Sequence, residues 1–285
     1  MTPTPQTPSI ASGGDEPADR HRVGQRLFRG AAIGALMFEL AFIAVVLIAL
    51  IVFVDAESFV RSLTSPEIIF SIKLTIITVT ISTGLSMLLA IPAAYALSSY
   101  RGRLAPAIDT LLDLPIVVPP VAAGLALLIL FGFYLGDAMD AKGLFLPHTR
   151  PGIVVAQFFA TMTYSVRSVK AALDSISPRL PAVARTLGSN QWRAFRRVTL
   201  PLARNGILAG AVLSWSRCLG LFGPVIMFCG ATRFRTEILP TSIYLHTSVG
   251  QIEQAVAGTL ILLIFAVLTL FIFKRLGAPG LLFWS

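Results

Sequence analysis

The amino-acid sequence predicts an all-α polytopic membrane protein with about six transmembrane helices. Hydrophobic residues make up 55% of its 285 residues and charged residues only 13%, and the mean hydropathy is +0.79. A soluble domain of this size cannot bury so much apolar side chain, so the composition is typical of a protein that lies in a bilayer. The apolar residues also fall into six runs of roughly 20 residues, the length that a helix needs to cross a membrane.

The chain divides into one transmembrane domain and two tails. Residues 1–29 are rich in Thr, Pro, Ser and Gly and then in Arg, without helical or strand periodicity, which predicts a disordered basic cytoplasmic tail. The transmembrane domain covers residues 30–276, and a short C-terminal tail covers residues 277–285. The first apolar run is too long for a cleaved signal peptide, so no cleavage is expected.

The six predicted spans are joined by short connections. They are Ala31–Val54, Phe70–Leu97, Leu111–Phe133, Ile153–Ser175, Gly206–Cys229 and Ala255–Phe273. With a cytoplasmic N-terminus, fourteen of the Lys and Arg side chains outside the spans lie inside the cell and five lie outside it. This asymmetry predicts that both termini are cytoplasmic. The net charge of +9 therefore reflects topology and contact with membrane lipid, and it does not indicate nucleic-acid binding.

The polar segment 177–204, between the fourth and fifth spans, is cytoplasmic in this topology and carries six arginines and no acidic residue. Its spacing predicts a helix, a glycine corner and a second helix. A Ser-Pro pair begins the first helix and Gly188 ends it. Ser189 or Asn190 caps the second helix, which is expected to end before Pro201.

Each of these two short helices has an apolar face. Val183 and Leu187 share a face of the first helix, and Trp192, Phe195 and Val198 share a face of the second. An apolar face rimmed by arginines has two interpretations. It lies on anionic lipid headgroups, or it inserts into a groove on a soluble partner.

The sequence has no motif for ATP binding or catalysis. The phosphate-binding pattern G-x-x-x-x-G-K-[ST] is absent, and the three histidines are His21, His148 and His246, without metal-ligand spacing. No catalytic residue, metal site or cofactor of this chain is predicted, and an intramembrane enzyme is disfavoured. No predicted outside loop exceeds about 25 residues. If the chain is part of a pump, its motor and its solute receptor are other polypeptides.

A charge within the fifth span is a candidate for function. Arg217 lies near the middle of that span beside Ser216, and a charge at membrane depth is costly unless it is used. These two residues are candidates for a translocation pathway along which Arg217 attracts an anion. The alternative is a structural contact in which Arg217 pairs with an acid such as Glu39 or Asp174.

Two prolines in the third span are further pathway candidates. Pro119 and Pro120 interrupt the helix near its cytoplasmic end. Prolines remove backbone hydrogen bonds, and a membrane tolerates this where protein or water supplies other partners. A kinked helix at the wall of a pore is therefore favoured over a lipid-exposed helix, and a purely structural kink is the alternative.

Several motifs resemble those of ABC-importer permeases. Five positions resemble, in spacing and order, the family's signature E-A-A-x-x-x-G-x9-I-x-L-P: Ala184, Gly188, Val198, Leu200 and Pro201. Residues 90–103, 114–124 and 217–245 are similar to the oxyanion branch, the molybdate, tungstate and sulfate permeases. The resemblance covers about residues 65 to 276. Ala182 stands where the signature has its glutamate, and Leu221 stands where the oxyanion branch often has another.

The resemblance implies a type I importer permease in the bacterial inner membrane, built as a homodimer with the pathway between its subunits. A cytoplasmic ABC ATPase dimer, which binds ATP and magnesium, and a periplasmic solute-binding protein are the implied partners. Segment 177–204 is then the ATPase-coupling loop. Its implied contact residues are Ala184, Gly188, Trp192, Phe195, Arg196, Arg197, Val198, Leu200 and Pro201.

On the outer side, the charged residues Arg233, Arg235 and Glu237 precede Pro240 and an amphipathic stretch. They form a candidate docking surface for the solute-binding protein. The alternative is a solvated loop whose charges face water.

The expected cargo is a tetrahedral oxyanion, with molybdate or tungstate favoured over sulfate. Two alternatives remain open: a permease of the same family for another solute, such as iron or a polyamine, and a secondary, ion-coupled transporter. Secondary transporters usually contain two related halves, and no internal repeat is visible here. Moving a dianion into a cytoplasm at about −100 mV requires roughly 4.6 kcal/mol, which indicates an external energy source.

Overall fold

All secondary structure in the described part of the computed structural model, residues 16–100 and 102–275, is helical, as the sequence predicts. The helices are, in chain order, α1 (Glu16–Phe53), α2 (Ala56–Leu63), α3 (Pro66–Ser99), α4 (Ala105–Val117), α5 (Pro120–Leu128), α6 (Gly136–Asp140), α7 (Arg150–Asp174), α8 (Arg179–Thr186), α9 (Gln191–Ala194), α10 (Leu200–Leu219), α11 (Gly223–Cys229), α12 (Leu239–Ser248) and α13 (Ile252–Arg275). Two π-helical turns continue α5 and α9: Ile129–Tyr134 and Phe195–Thr199.

The helix α1 belongs to a unit of its own that ends at Phe53, and the rest of the chain forms a second unit. Residues 16–29 are the first turns of α1, so the disorder predicted for them is wrong. Glu, Ala, Arg, Gln and Leu in this stretch favour a helix, and the apolar run that follows continues it. Residues 1–15 and the predicted tail 277–285 lie outside the described residues.

The centre of the second unit is the packing of α3, α7 and α10 against one another. One stripe of α3 carries small hydroxyl side chains, all buried: Ser71, Thr75, Thr78, Ser82 and Ser86. Small and hydroxyl-bearing residues let membrane helices approach closely and hydrogen-bond to one another. Ser165 of α7 and Ser214 of α10 do so, with their oxygens 2.6 Å apart.

Three helices are long and apolar enough to span a bilayer: Phe28–Phe53, Pro66–Ser99 and Ile252–Phe271. Two more spans result if α4 with α5, and Gln191–Leu219 with α11, each cross as one bent unit. The helix α7 is long enough, at about 37 Å, but it carries Arg167, Lys170 and Asp174 and is less apolar. By length and composition, the described residues thus contain three to five of the six predicted spans.

The third predicted span is broken, where the sequence predicted a kink. The helices on either side of Val118 and Pro119 meet at 104°. Val118 is extended, with φ −63° and ψ 128°, because a proline disfavours the helical conformation of the residue before it. The fifth predicted span is also broken, by 59° at residues 220–222.

The helices that follow these two breaks, α5 and α11, pack closely on each other. A Cβ atom added to Gly124 would lie 2.7 Å from the Cβ of Met227 and from the carbonyl oxygen of Pro224. A Cβ atom added to Gly223 would lie 2.8 Å from the Cβ of Pro120. Both distances are too short for real atoms, so this helix crossing requires glycine on each side.

Candidate functional site

The arginine-rich segment, residues 177–204, folds as a helix, a glycine corner and a second helix. Gly188 follows α8 with φ +87°, in the left-handed region that glycine adopts easily. The side chain of Asn190 accepts a hydrogen bond of 2.8 Å from the backbone N–H of Arg193, so Asn190 caps the second helix. The local geometry agrees with the spacing in the sequence.

The second helix does not end before Pro201, contrary to the prediction. The π-helical turn after α9 brings the N–H of Leu200 to the carbonyl oxygen of Phe195, five residues earlier. The helix α10 begins there, with Pro201 in its first turn. Because the N–H groups of a first turn lack helical partners anyway, proline is tolerated at that place. The arginine-rich segment is therefore continuous with α10.

The residue that anchors this segment to the rest of the fold is Phe195. Its side chain is only 7% exposed, and its ring centre lies 4.6 Å from that of Tyr95 on α3 and 5.9 Å from that of Trp192. The side-chain amide of Gln191 adds a hydrogen bond of 3.0 Å to the Tyr95 hydroxyl. The three residues predicted to share one face differ in their exposure: Phe195 is buried, Val198 is half-buried and Trp192 is exposed.

Five large apolar side chains of the segment are exposed. One of them, Leu202, is on α10, and we call the four that precede α10 the exposed apolar face: Leu180, Val183, Leu187 and Trp192. The largest exposed fractions are 81% for Leu187 and 67% for Trp192. All six arginines of the segment are exposed as well, and none of them forms an ion pair with another described residue. A large apolar patch with a polar rim is typical of a surface that contacts another molecule.

A cavity of about 770 Å³ separates the first helix of the segment from the ends of α3 and α7. Tyr95, Ala182, Arg185 and Gln191 contribute to its lining. The helix α8 packs mainly on α9 and the π-helical turn after it. The segment is therefore fastened to the helical bundle through its second helix, while its first helix projects over the cavity.

The pathway candidate Arg217 lies near the end of α10, close to the break that follows. Its guanidinium carbon lies 5.0 Å from the ring centre of Tyr164, a cation–π contact. Asp174 pairs instead with Lys170, whose Nζ lies 2.6 Å from its Oδ2, so the predicted pairing of Arg217 with Asp174 is wrong. Arg217 and Ser216 are both exposed.

Pro119 and Pro120 lie at the 104° break and are exposed. Pro120 contacts the backbone at Gly223, which begins the helix after the second break. The two breaks are therefore close in space, and Arg217 precedes the second of them by only a few residues.

On the predicted outer side, Arg233 and Arg235 are exposed, as a docking surface requires. Glu237 is wrong as a docking residue because it is 0% exposed. The loop is held against α7 by Arg150, which donates hydrogen bonds to the carbonyl oxygens of Arg235 (3.1 Å) and Phe234 (3.3 Å). The residues that follow this loop, including Glu237, therefore point into the core.

One ionic cluster was missed by the sequence reasoning. Arg167 of α7 forms ion pairs with Asp109 and Asp113 of α4, at N–O distances of 2.7 and 2.6 Å. We call these three residues the Arg167 cluster. The available signal was the spacing of the aspartates, four residues apart and hence on one face of a helix. Within the described residues, no group of three His, Cys, Asp or Glu side chains could hold a metal ion.

Comparison with known proteins gives consistent matches. Residues 82–278 match the family model described as "Binding-protein-dependent transport system inner membrane component". The molybdenum transport system permease protein ModB of Mycobacterium tuberculosis is 36% identical over 231 residues, which cover 80% of this chain and 87% of the relative. The sulfate transport system permease protein CysT of Escherichia coli is 30% identical over 217 residues, covering 73% of this chain and 78% of the relative.

A similar fold is present in a solved bacterial alginate ABC transporter, in complex with an alginate pentasaccharide-bound periplasmic protein. Its matching chain has a TM-score of 0.74 and 19% identity, and the match covers 90% of this chain and 95% of that chain. At this identity the likeness shows the fold.

Proposed function

This chain belongs to the family of binding-protein-dependent transport system inner membrane components, and we propose that it imports a tetrahedral oxyanion with energy from a separate ATPase. Membership makes it a multi-pass permease of the inner membrane and a translocation subunit, not an enzyme.

The observation that carries the ATPase coupling is the exposed apolar face of the arginine-rich segment. Burying an apolar side chain of this size in a partner contributes about 1.5–3 kcal/mol, so Leu187 and Trp192 alone offer a substantial driving force. The face is divided between two helices of eight and four residues that meet at Gly188. Two short apolar faces that meet at a glycine corner suit a groove on a protein. An interfacial helix instead lies in the plane of the headgroups, with one apolar face along its length.

The cargo that we propose is molybdate or tungstate, and then sulfate. Relatives at 36% and 30% identity are named as molybdenum and sulfate permeases. Arg217 supports an anion, because its guanidinium is exposed and rests on the Tyr164 ring instead of pairing with Asp174. A dianion moving inward against about −100 mV needs roughly 4.6 kcal/mol, which an ATPase can supply.

In the proposed mechanism, two copies of this chain form the pathway, and a periplasmic binding protein delivers the anion near Arg233 and Arg235. ATP binding draws the two ATPase subunits together and moves the arginine-rich segments with them. Because this segment continues into α10, its movement is passed along one helix to the region of Ser216 and Arg217. The change is a rigid-body switch between two packed states.

Thiol labelling of Leu187→Cys tests the docking directly. Both native cysteines are buried, so a membrane-impermeant maleimide reports on position 187. In inverted membrane vesicles we expect the partner ATPase to slow the labelling at least tenfold. Asn205→Cys, exposed on α10 and outside the exposed apolar face, is the matched control and should be labelled equally with and without the ATPase. Equal labelling of position 187 in both conditions contradicts the proposal.

A further inference from the structure

We propose that the Arg167 cluster is the relay that passes movement of the arginine-rich segment to the broken helix at Pro119. This inference rests on the proposed ATP-driven import, and it assigns a positioning role to the three residues of the cluster.

The cluster joins α7 and α4 through a forked set of hydrogen bonds. The Nε and Nη2 atoms of Arg167 donate to the two carboxylate oxygens of Asp113, at 2.8 and 2.6 Å. The Nη1 atom donates to Oδ1 of Asp109 at 2.7 Å, and Nη2 also reaches the Asp109 carbonyl oxygen at 3.0 Å. One turn earlier on α7, the Thr163 hydroxyl donates to the Leu112 carbonyl oxygen at 2.7 Å. The two helices are thus connected along two turns.

The cluster lies between the arginine-rich segment and the break. The helix α7 ends at Asp174, about two turns beyond Arg167, and α8 begins at Arg179. The helix α4 ends at Val117, about one turn beyond Asp113, and the 104° break follows at once. Phe195 of the segment shares a buried cluster with Val169 and Leu173 of α7. A displacement of the segment therefore reaches the break through α7, the ionic fork and one turn of α4.

The chemistry of the contact suits the transmission of movement between α7 and α4 better than it suits holding the two helices together. The three side chains are 30%, 44% and 43% exposed, so water weakens the attraction between their charges. Apolar side chains would hold two helices together at least as well. A bidentate arginine–carboxylate pair has a fixed direction and planar geometry, so it also resists rotation and sliding of one helix along the other.

The test is the number of anions imported per ATP hydrolysed, measured in proteoliposomes that contain this chain, its ATPase and its binding protein. Molybdate and, in parallel, sulfate are the transported anions. We expect Arg167→Gln and Asp113→Asn to keep the ATPase bound and active but to lower this ratio at least fivefold. Arg167→Lys, which keeps the charge without the fork, should give an intermediate ratio.

Lys170→Gln is the matched control. It removes an ion pair of similar exposure one turn away on α7, but the partner of that pair, Asp174, is on the same helix. Its ratio should equal that of the wild-type chain. If Arg167→Gln imports as many anions per ATP hydrolysed as the wild-type chain, the relay is overturned. This includes the case in which uptake and hydrolysis fall by the same factor.

Two further outcomes are decisive. If Arg167→Gln does not reach the membrane, Asp109→Asn is the deciding variant, because it leaves the bidentate pair with Asp113 in place. We expect it to lower the number of anions imported per ATP about twofold. An unchanged number overturns the relay. If the wild-type chain imports anion without ATP hydrolysis, the proposed function fails and the relay with it. Failure of the relay alone is recognised by ATP-driven wild-type import together with an unchanged ratio in the variants.

Discussion

The rings of Phe195 and Tyr95 lie 4.6 Å apart, and this contact fastens the arginine-rich segment to α3. Phe195 is part of a buried cluster with Ala94, Val169 and Leu173. The segment that we propose to receive force from an ATPase is therefore anchored in the core of the helical bundle. An anchored segment can transmit a movement to the bundle, whereas a loose loop would absorb it.

Replacing this anchor should uncouple the segment. Phe195→Ala removes a buried ring, a change that typically costs about 3–5 kcal/mol, and we expect anion uptake to fall at least tenfold in cells. Phe195→Leu, which keeps most of the apolar volume, should retain more than half of the uptake. Both are measured at matched abundance in the membrane fraction. Uptake by Phe195→Ala at the wild-type rate would show that the anchor is dispensable.

The glycine corner should be sensitive to backbone strain and insensitive to volume. A Cβ atom at Gly188 meets nothing within 4 Å, but φ is +87° there. Gly188→Pro and deletion of Gly188 should abolish uptake while the chain still inserts into the membrane. Gly188→Asn should keep most of the activity, because asparagine tolerates the left-handed region. Wild-type uptake by the proline variant would contradict the role of the corner.

The cation at Arg217 should matter for anion transport. Arg217→Gln removes the charge, and we expect the uptake of molybdate or sulfate to fall about tenfold or more. Arg217→Lys keeps a charge that can also lie over the Tyr164 ring, so its uptake should be intermediate. The measurement is initial uptake rate at equal abundance. Normal transport by both variants would remove Arg217 from the pathway.

The crossing of α5 and α11 should not tolerate a residue larger than glycine at position 124. Gly124→Val places atoms against the backbone oxygen of Pro224, only 2.7 Å from an added Cβ, and overpacking of this kind costs about 1–3 kcal/mol. We expect a lower melting temperature in detergent and a loss of uptake. Gly84→Val in α3, where an added Cβ meets nothing within 4 Å, is the matched control and should leave both properties unchanged. Equal stability of the two variants would argue against close packing at this crossing.

Local features of the fold were readable from the sequence. Gly188 and Asn190 act through their own backbone and their nearest neighbours, so their roles as corner and cap follow from residue type and spacing. The composition was sufficient to predict a membrane protein, because only a membrane accommodates so much apolar side chain. The apolar runs of about 20 residues then predicted that its spans are helical.

Features that depend on distant contacts were not readable. Glu237 is buried because Arg150, 87 positions earlier, holds its loop, and charged residues are rarely fully buried. The partners of Arg167 lie more than fifty positions away. A proline in the sequence predicts that a helix is interrupted. It does not predict the 104° angle at Pro119, which is formed together with the packing of α5 on α11.

The central claim is that ATP hydrolysed by a separate chain drives this permease. Its most direct test is anion accumulation in proteoliposomes that contain this chain with its binding protein, with and without the ATPase, under an imposed membrane potential or proton gradient. We predict that molybdate or sulfate accumulates only when ATPase and ATP are both present, and that vanadate stops it. Accumulation driven by the gradient alone, without ATPase or ATP, would contradict the claim and identify a secondary transporter.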